Sequence, residues 1–355
     1  MSALTLIEKN LRLGRPVVDL SLAATDLTRE VLSNGVFQNV DFSDCDFSDA
    51  DLSQSIFSRC DLSRCNFSGA QLGAAQFVES RLDAATFMHS AAENLTFTKC
   101  SASGMRFTRF ELSKSFLIET DFSAAAFEET KIGAAGLLSS RFDGARVHDC
   151  ALDNVVWAET DFSSIDLKRT SFVKALLLDC GFKNMDLSAI RLVESTLSGS
   201  DFSGADLSGA DCAASNFSNC QLIDTNFRGA QLANCLFVGA KLTRANLTDA
   251  DMKNCILKKA SIEDCVLENT RMENAYLAQM RCLGSRFENV DLSFSNLSYA
   301  EFEDSLFDRV DLTSANLHQT RFGDTEFLNT SRRRRLKVPE ERAEMEKNVF
   351  ALGVL

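Results

Sequence analysis

From Leu27 onward a large apolar residue recurs at every fifth position, always at numbers ending in 2 or 7, and it runs without an insertion through Phe327. Sixty-one consecutive units keep this register, and Val17 and Leu22 extend it backward. Two residues before each large one stands something small, as in Ser200, Ala205, Ala210, Ser215, Cys220 and Thr225. The residues immediately before and after it are mostly polar. Such in–out–in–out alternation over four residues predicts a short strand with one face buried. The fifth residue must turn a corner, because the alternation cannot otherwise restart in phase. A chain that turns the same way every five residues winds into a coil that stacks on itself, its N–H groups pairing with the next coil at about 4.8 Å. Proline would delete one of those bonds. The only two prolines, Pro16 and Pro339, bracket the repeats.

Clean copies of the unit are Ala50-Asp51-Leu52, Ala205-Asp206-Leu207, Ala245-Asn246-Leu247 and Ala315-Asn316-Leu317. The pattern resembles the pentapeptide-repeat family, whose consensus is A-(D/N)-L-x-x, over roughly nine-tenths of the chain. The resemblance implies an all-β fold, a right-handed quadrilateral β-helix with four units and twenty residues per coil.

The outward positions give a separate check on twenty. Eleven residues just before a large centre are themselves large and apolar: Val31, Val36, Ile56, Phe116, Val156, Leu176, Leu236, Ile256, Val266, Tyr276 and Leu306. Eight of them fall at the same place modulo twenty, so a four-sided coil puts those eight on one outer face. About fifteen coils at roughly 4.8 Å each predict a stack on the order of 70–75 Å long. Ala92 and Ala102 are undersized centres, while Leu95, Met105 and Phe110 are oversized at the other inward position. Bulk moved between inward sites keeps the volume constant. This region is the expected place for an irregular turn.

Three segments follow. Residues 1–16 form an N-terminal cap, with Leu4, Ile7 and Leu11 at helical spacing before Gly14 and Pro16. Residues 17–330 form the solenoid. Residues 331–355 carry the basic run Arg332–Arg335 and then a helix opened by Pro339 and two acids, with Met345, Val349 and Leu352 on one side and Phe350 beside them. A coil stack ends in unpaired edges and an open core, so this tail is read as a cap or as the joint of a homodimer.

Charge and chemistry narrow the function. The net charge of −13 argues against direct nucleic-acid binding and against an anionic membrane surface. With no secretory signal and no long apolar run, a cytoplasmic protein is expected. Ten of twelve cysteines occupy the small inward position and two, Cys212 and Cys282, replace a centre, so all are expected as buried, reduced core residues. Cys45 with Cys65, and Cys235 with Cys255, stack in adjacent coils, close enough for a disulfide. His89, His148 and His318 share no coil, so neither a metal site, a cofactor site nor a catalytic base is expected.

Two surface features remain. Asp166, Asp186 and Asp206 form a column that reads either as an acidic stripe imitating DNA phosphates or as carboxylates bonded to their own turns. The apolar outer face gathers Phe116, Ile118, Leu138, Val156, Leu176 and Leu178 in one patch and Leu236, Val238, Ile256 and Tyr276 in another. A contiguous apolar patch usually marks a protein interface. The expectation is therefore a non-catalytic bacterial scaffold or adaptor that binds another protein through this face, dimeric through the C-terminal helix. The alternative implied by the family is a DNA mimic acting on a type II topoisomerase such as gyrase; a third is an adaptor or cargo factor of a bacterial secretion system.

Overall fold

The computed structural model describes residues 3–330. By contacts the chain falls into two compact units, Met1–Leu177 and Leu178–Leu355. Both units are β-solenoids with a twenty-residue coil, visible in the parallel register of Phe37 with Phe57 and of Phe57 with Phe77 in the first unit and of Phe287 with Phe307 in the second.

One five-residue side shows why the repeat has the composition it does. In the side centred on Leu62, Asp61 N–H donates to the Val40 carbonyl of the previous coil at 3.0 Å, and Leu62 N–H to the Arg81 carbonyl of the next at 2.7 Å. Arg64 N–H donates to Asp83 at 2.8 Å, and Cys65 N–H closes a turn on Leu62 at 3.2 Å. The fifth donor, Ser63 N–H, is taken by the Asp61 carboxylate at 3.0 Å. All five backbone donors are satisfied, as a buried or half-buried main chain requires. Aspartate or asparagine before the centre is therefore a structural acceptor. Every described side that carries one there closes in a tight turn, with two exceptions, Asp161 and Asp166.

The corner residue sits at numbers ending in 4 or 9, in the left-handed region, with φ near +50 to +60° as in Asp44 (61°), Arg64 (61°) and Asn254 (57°). Ser164 and Asp324 alone among the described corners of the repeat lack a positive φ.

The inward residues stack in columns. Phe47, Phe67, Phe87, Phe107 and Phe127 follow one another with ring centroids 4.6–5.1 Å apart, and Phe37, Phe57, Phe77 and Phe97 do the same at 4.9–5.1 Å. Rings so close together fill the coil spacing without voids. At the small inward position the hydroxyl and thiol have work of their own. Cys65 Sγ donates to the Phe42 carbonyl at 3.0 Å and Cys255 Sγ to Leu232 at 2.9 Å. Where a strand side lacks the closing turn and the next coil carries a hydroxyl at the same position, the inward N–H can donate to it, as Cys60 does to Ser80 and Leu95 to Ser115, both at 3.0 Å.

The first unit opens with α1 (Ala3–Arg12), which buries Ile7 completely. Beneath it, Val17, Leu22 and Leu27 are already buried. One outer face of this unit is an eight-stranded parallel sheet, from Val17–Val18 through Phe116–Ile118 and Gly136–Leu138 to Val156–Trp157. It is the face on which the apolar outward residues were expected.

The irregular turn expected around Ala92–Phe110 is not there. Phe110 packs against Phe87 and Phe107 at 5.9 and 5.2 Å, restoring the volume that Ala92 and Ala102 give up, so the coil stays regular. The break comes at Phe162–Ser164, a 3-10 turn whose first N–H groups are capped by Asp161, accepting from Ser163 N–H at 2.9 Å.

All twelve cysteines are buried and unbridged, including the stacked pairs Cys45 and Cys65, Cys235 and Cys255. Burial pushes the Cys45, Cys60 and Cys100 thiols up to about 11 and those of Cys220 and Cys265 to about 12. The thiolate is the reactive form, so these groups are inert while folded. A chromogenic disulfide reagent at pH 8 is expected to titrate no thiol in native protein and all twelve after denaturation in guanidinium; rapid native labelling would show an open core.

Candidate protein-docking face

The eight-stranded sheet brings part of the first apolar patch together. Phe116 pairs in register with Gly136, and Gly136 with Val156; Ile118 pairs with Leu138. Val156 bridges in turn to Leu176. Gly136 has a packing reason to be glycine: a Cβ there would come within 3.1 Å of the Phe116 ring. The ring lies across that strand and stays 49% exposed, with Leu138 at 38% and Val156 at 36%. Ile118 and Leu176 are half-buried beside them. Polar corners flank the patch, Lys114 and Glu119 on either side of Phe116, and Glu119 lies 3.8 Å from Lys99. An apolar centre with a charged border is the anatomy of a protein interface.

The other expected residues lie in the second unit or outside the described residues. Leu178 begins the second unit. In that unit Leu236, Ile256 and Tyr276 bridge one another in sequence, and they and Val238 are half-buried. Each side chain in such a column is covered by its neighbours one coil away, so exposure at a ladder position is less than the sequence suggests. Met345, Val349, Phe350 and Leu352 lie outside the described residues.

The acidic column is not free charge. The Asp186 carboxylate accepts from Ser188 N–H at 3.0 Å and from its hydroxyl at 2.6 Å, bonds that hold it below the usual carboxylate range. Asp206 accepts from Ser208 N–H and from Asn226 Nδ2, both at 2.9 Å. Asp166, in the first unit, faces His148 Nε2 at 2.9 Å and Lys168 Nζ at 3.1 Å. Burial raises its pKa, but those two hydrogen bonds outweigh the burial and leave it lowered. Corner charges pair along the stack in the same way, Arg64 with Asp44 at 2.6 Å and Arg244 with Asp224 at 2.6 Å. Among the described residues no three His, Cys, Asp or Glu side chains are grouped to hold a metal ion, and no helix is long and apolar enough to cross a membrane.

The pentapeptide-repeat model matches in eight copies, over residues 19–54, 45–83, 186–222, 220–258 and 285–324, about half of the chain. The chain belongs to the pentapeptide-repeat family. Among solved structures it is similar to QnrB1, a plasmid-mediated fluoroquinolone resistance protein, with 25% identity, 57% of this chain and 89% of that one covered, and a TM-score of 0.40. It is also similar to HetL, a pentapeptide repeat protein involved in heterocyst differentiation regulation from the cyanobacterium Nostoc sp. strain PCC 7120, with 20% identity, 88% and 95% covered, and a TM-score of 0.20. No curated protein matches in sequence.

Against this family's repeat, two residues stand out that sequence reasoning missed. Phe294 and Tyr299 occupy successive corners at φ 59° and 58°, where the other corners hold mostly Asp, Asn, Gly, Ala or longer charged residues. They are 44% and 50% exposed, and the Tyr299 ring meets His318 edge-on at 5.4 Å. The signal was available, since both numbers end in 4 or 9, but the sequence reading followed the residues beside the centre and not the corner.

Two predictions follow from these roles. Asp206→Asn keeps the acceptor for Ser208 N–H and is expected to leave the urea midpoint nearly unchanged, whereas Asp206→Ala removes it and costs about 1 kcal/mol; equal losses would make the carboxylate charge, not the acceptor, the important feature. Phe294→Asn and Tyr299→Asn, which ease a left-handed corner, are each expected to stabilise the protein by about 1 kcal/mol in the same assay.

Proposed function

We propose that this pentapeptide-repeat protein is a non-catalytic scaffold that docks another protein on the sheet face carrying Phe116, Leu138 and Val156. The observation that carries the reading is an aromatic ring laid over a glycine and left half in solvent, with two exposed aliphatic neighbours on a face whose equivalents elsewhere are Asp, Asn and Ser. Removing such a patch from water contributes roughly 25 cal/mol per Å², and a large buried aromatic at the centre of an interface is a usual anchor. The matching partner presents an apolar knob with a mixed-charge border, complementary to Lys114 and Glu119. Half-buried Ile118 and Leu176 extend the contact area around the exposed three.

The carboxylates of Asp186 and Asp206 support this reading over DNA mimicry, because each is already committed to its own turn or to a neighbouring coil. A mimic needs charge presented outward.

The test compares two surface changes, equal in magnitude and opposite in sign of charge. Phe116→Asp with Leu138→Asp is expected to leave the circular dichroism spectrum intact and to lower capture of native partners at least tenfold in quantitative affinity purification. Asp186→Asn with Asp206→Asn is expected to leave capture unchanged. If the first pair binds the same set of proteins at the same level, the docking face is wrong; if only the second pair loses binding, the acidic column is the contact.

A further inference from the structure

Two successive corners of the second unit are built from residues that the backbone there disfavours. Phe294 and Tyr299 are the only phenylalanine and tyrosine among the described corners, and both stand in the left-handed region. A bulky ring at positive φ is a backbone outlier that asparagine, as at Asn254 and Asn274, relieves. Backbone strain of this kind concentrates at functional sites. Core packing does not account for either ring, because both are left about half in solvent. The two corners bound a single side of the coil and stand on the order of 10–15 Å apart at strand rise. Between them Asn296 is 5% exposed, the one Asp or Asn before a centre that is fully covered among the described residues. It bridges Tyr276 in the coil before and Asn316 in the coil after, and Asn316 Nδ2 donates to its Oδ1 at 3.2 Å. His318 holds the Tyr299 ring edge-on. Two exposed rings thus stand on either side of a closed polar floor.

The charge around this platform is of one sign. From Ser285 to Thr330 the sequence has nine acidic residues against three arginines. All three arginines are engaged, Arg286 and Arg309 with Glu288 and Arg321 with Glu301. Arg271, which bridges Asp291 from the coil before, is held by Asp251 at 2.9 Å. Asp311 bridges Asp291 from the coil after, and Glu303 and Asp304 follow Tyr299 along the chain. These three carboxylates are exposed and have no basic partner among the described residues.

We propose that Phe294 and Tyr299 form a recognition site for an arginine-bearing segment of a partner protein. A guanidinium is planar, so it stacks on an aromatic face while its N–H groups bond a carboxylate. The platform offers both, rings at two corners and free carboxylates in the same coil and the next. Arginines two residues apart in an extended segment project to the same side about 7 Å apart, and their long side chains reach both rings. Lysine carries a compact, strongly hydrated charge and gains less from the same rings. A purely apolar partner would leave the acidic surround without a role, and a nucleic-acid backbone would be repelled by it. This site belongs to the second unit, and the face carrying Phe116 to the first.

Fluorescence anisotropy on the full-length protein in about 0.15 M salt tests it, so that weak long-range attraction is screened. The probe is a fluorescein-labelled Gly-Arg-Gly-Arg-Gly amide, with the lysine peptide of the same pattern beside it. The wild type is expected to bind the arginine peptide at least threefold more tightly than the lysine one. Phe294→Asn with Tyr299→Asn keeps every carboxylate and is expected to weaken arginine-peptide binding at least tenfold, while its urea midpoint, expected to rise, reports folding separately. Phe294→Leu with Tyr299→Leu keeps the apolar bulk without the rings and is expected to lose as much. Phe116→Ser with Leu138→Ser is expected to leave binding unchanged. Three results would overturn the site: an arginine peptide bound no more tightly by the wild type than by the asparagine variant; equal affinity for the two peptides, which would leave only bare charge attraction; or a leucine variant that binds like the wild type.

Discussion

Everything in this molecule depends on satisfying five backbone N–H groups per five residues while turning a corner. The corner is unfavourable by itself, since a left-handed φ costs an L-residue about 1–2 kcal/mol. Three cross-coil hydrogen bonds per side, each worth roughly 0.5–1.5 kcal/mol net, outweigh it. The remaining two donors are met by the turn and by the carboxylate before the centre, as Cys65 and Ser63 show. The balance is favourable only when the bonds come as a set, so a side cannot lose its register alone. This is the physical reason the repeat tolerates no insertion over sixty-one units.

That constraint explains which features were legible in advance. The centre residues carry the fold in their size and spacing, and the coil of twenty shows in the column of Val36, Ile56, Phe116 and Val156, which forms one sheet. The cysteines are legible as buried because ten fall on the small inward position, where a thiol fits and can donate to the carbonyl of the coil behind, and Cys212 and Cys282 fall on the inward centre. Even the choice between a tight turn and a strand follows largely from whether Asp or Asn precedes the centre.

What stayed hidden depended on neighbours a whole coil away. Leu236, Ile256 and Tyr276 are apolar in the right place but shield one another, so each is half-buried and offers less surface than a count of outward residues suggests. Phe116 goes the other way. Its placement depends on Gly136, twenty residues later and unremarkable in sequence, which leaves room for the ring to lie across the neighbouring strand with no side chain there to cover it. Asp166 likewise matches the motif but gives its carboxylate to His148 and Lys168, on the strand that follows the 3-10 turn at Phe162–Ser164.

A solenoid of this kind separates its two tasks by direction. Inward positions are bound by the core and the ladder and vary only within narrow chemistry, whereas at the corners the left-handed φ is held while the side chain ranges from Ala74 to Arg64 and Tyr299. The outward residue before the centre is different: where it is Asp or Asn it supplies a turn acceptor, and replacing it with an apolar residue gives up that acceptor. In the strand-forming sides the loss costs little, because the ladder and the hydroxyl of the next coil take the donors instead, as Ser115 does for Leu95. Phe116 and Val156 sit in such sides. An apolar docking face is therefore least costly on a sheet-forming side, and the eight-stranded face is the longest of these in the first unit.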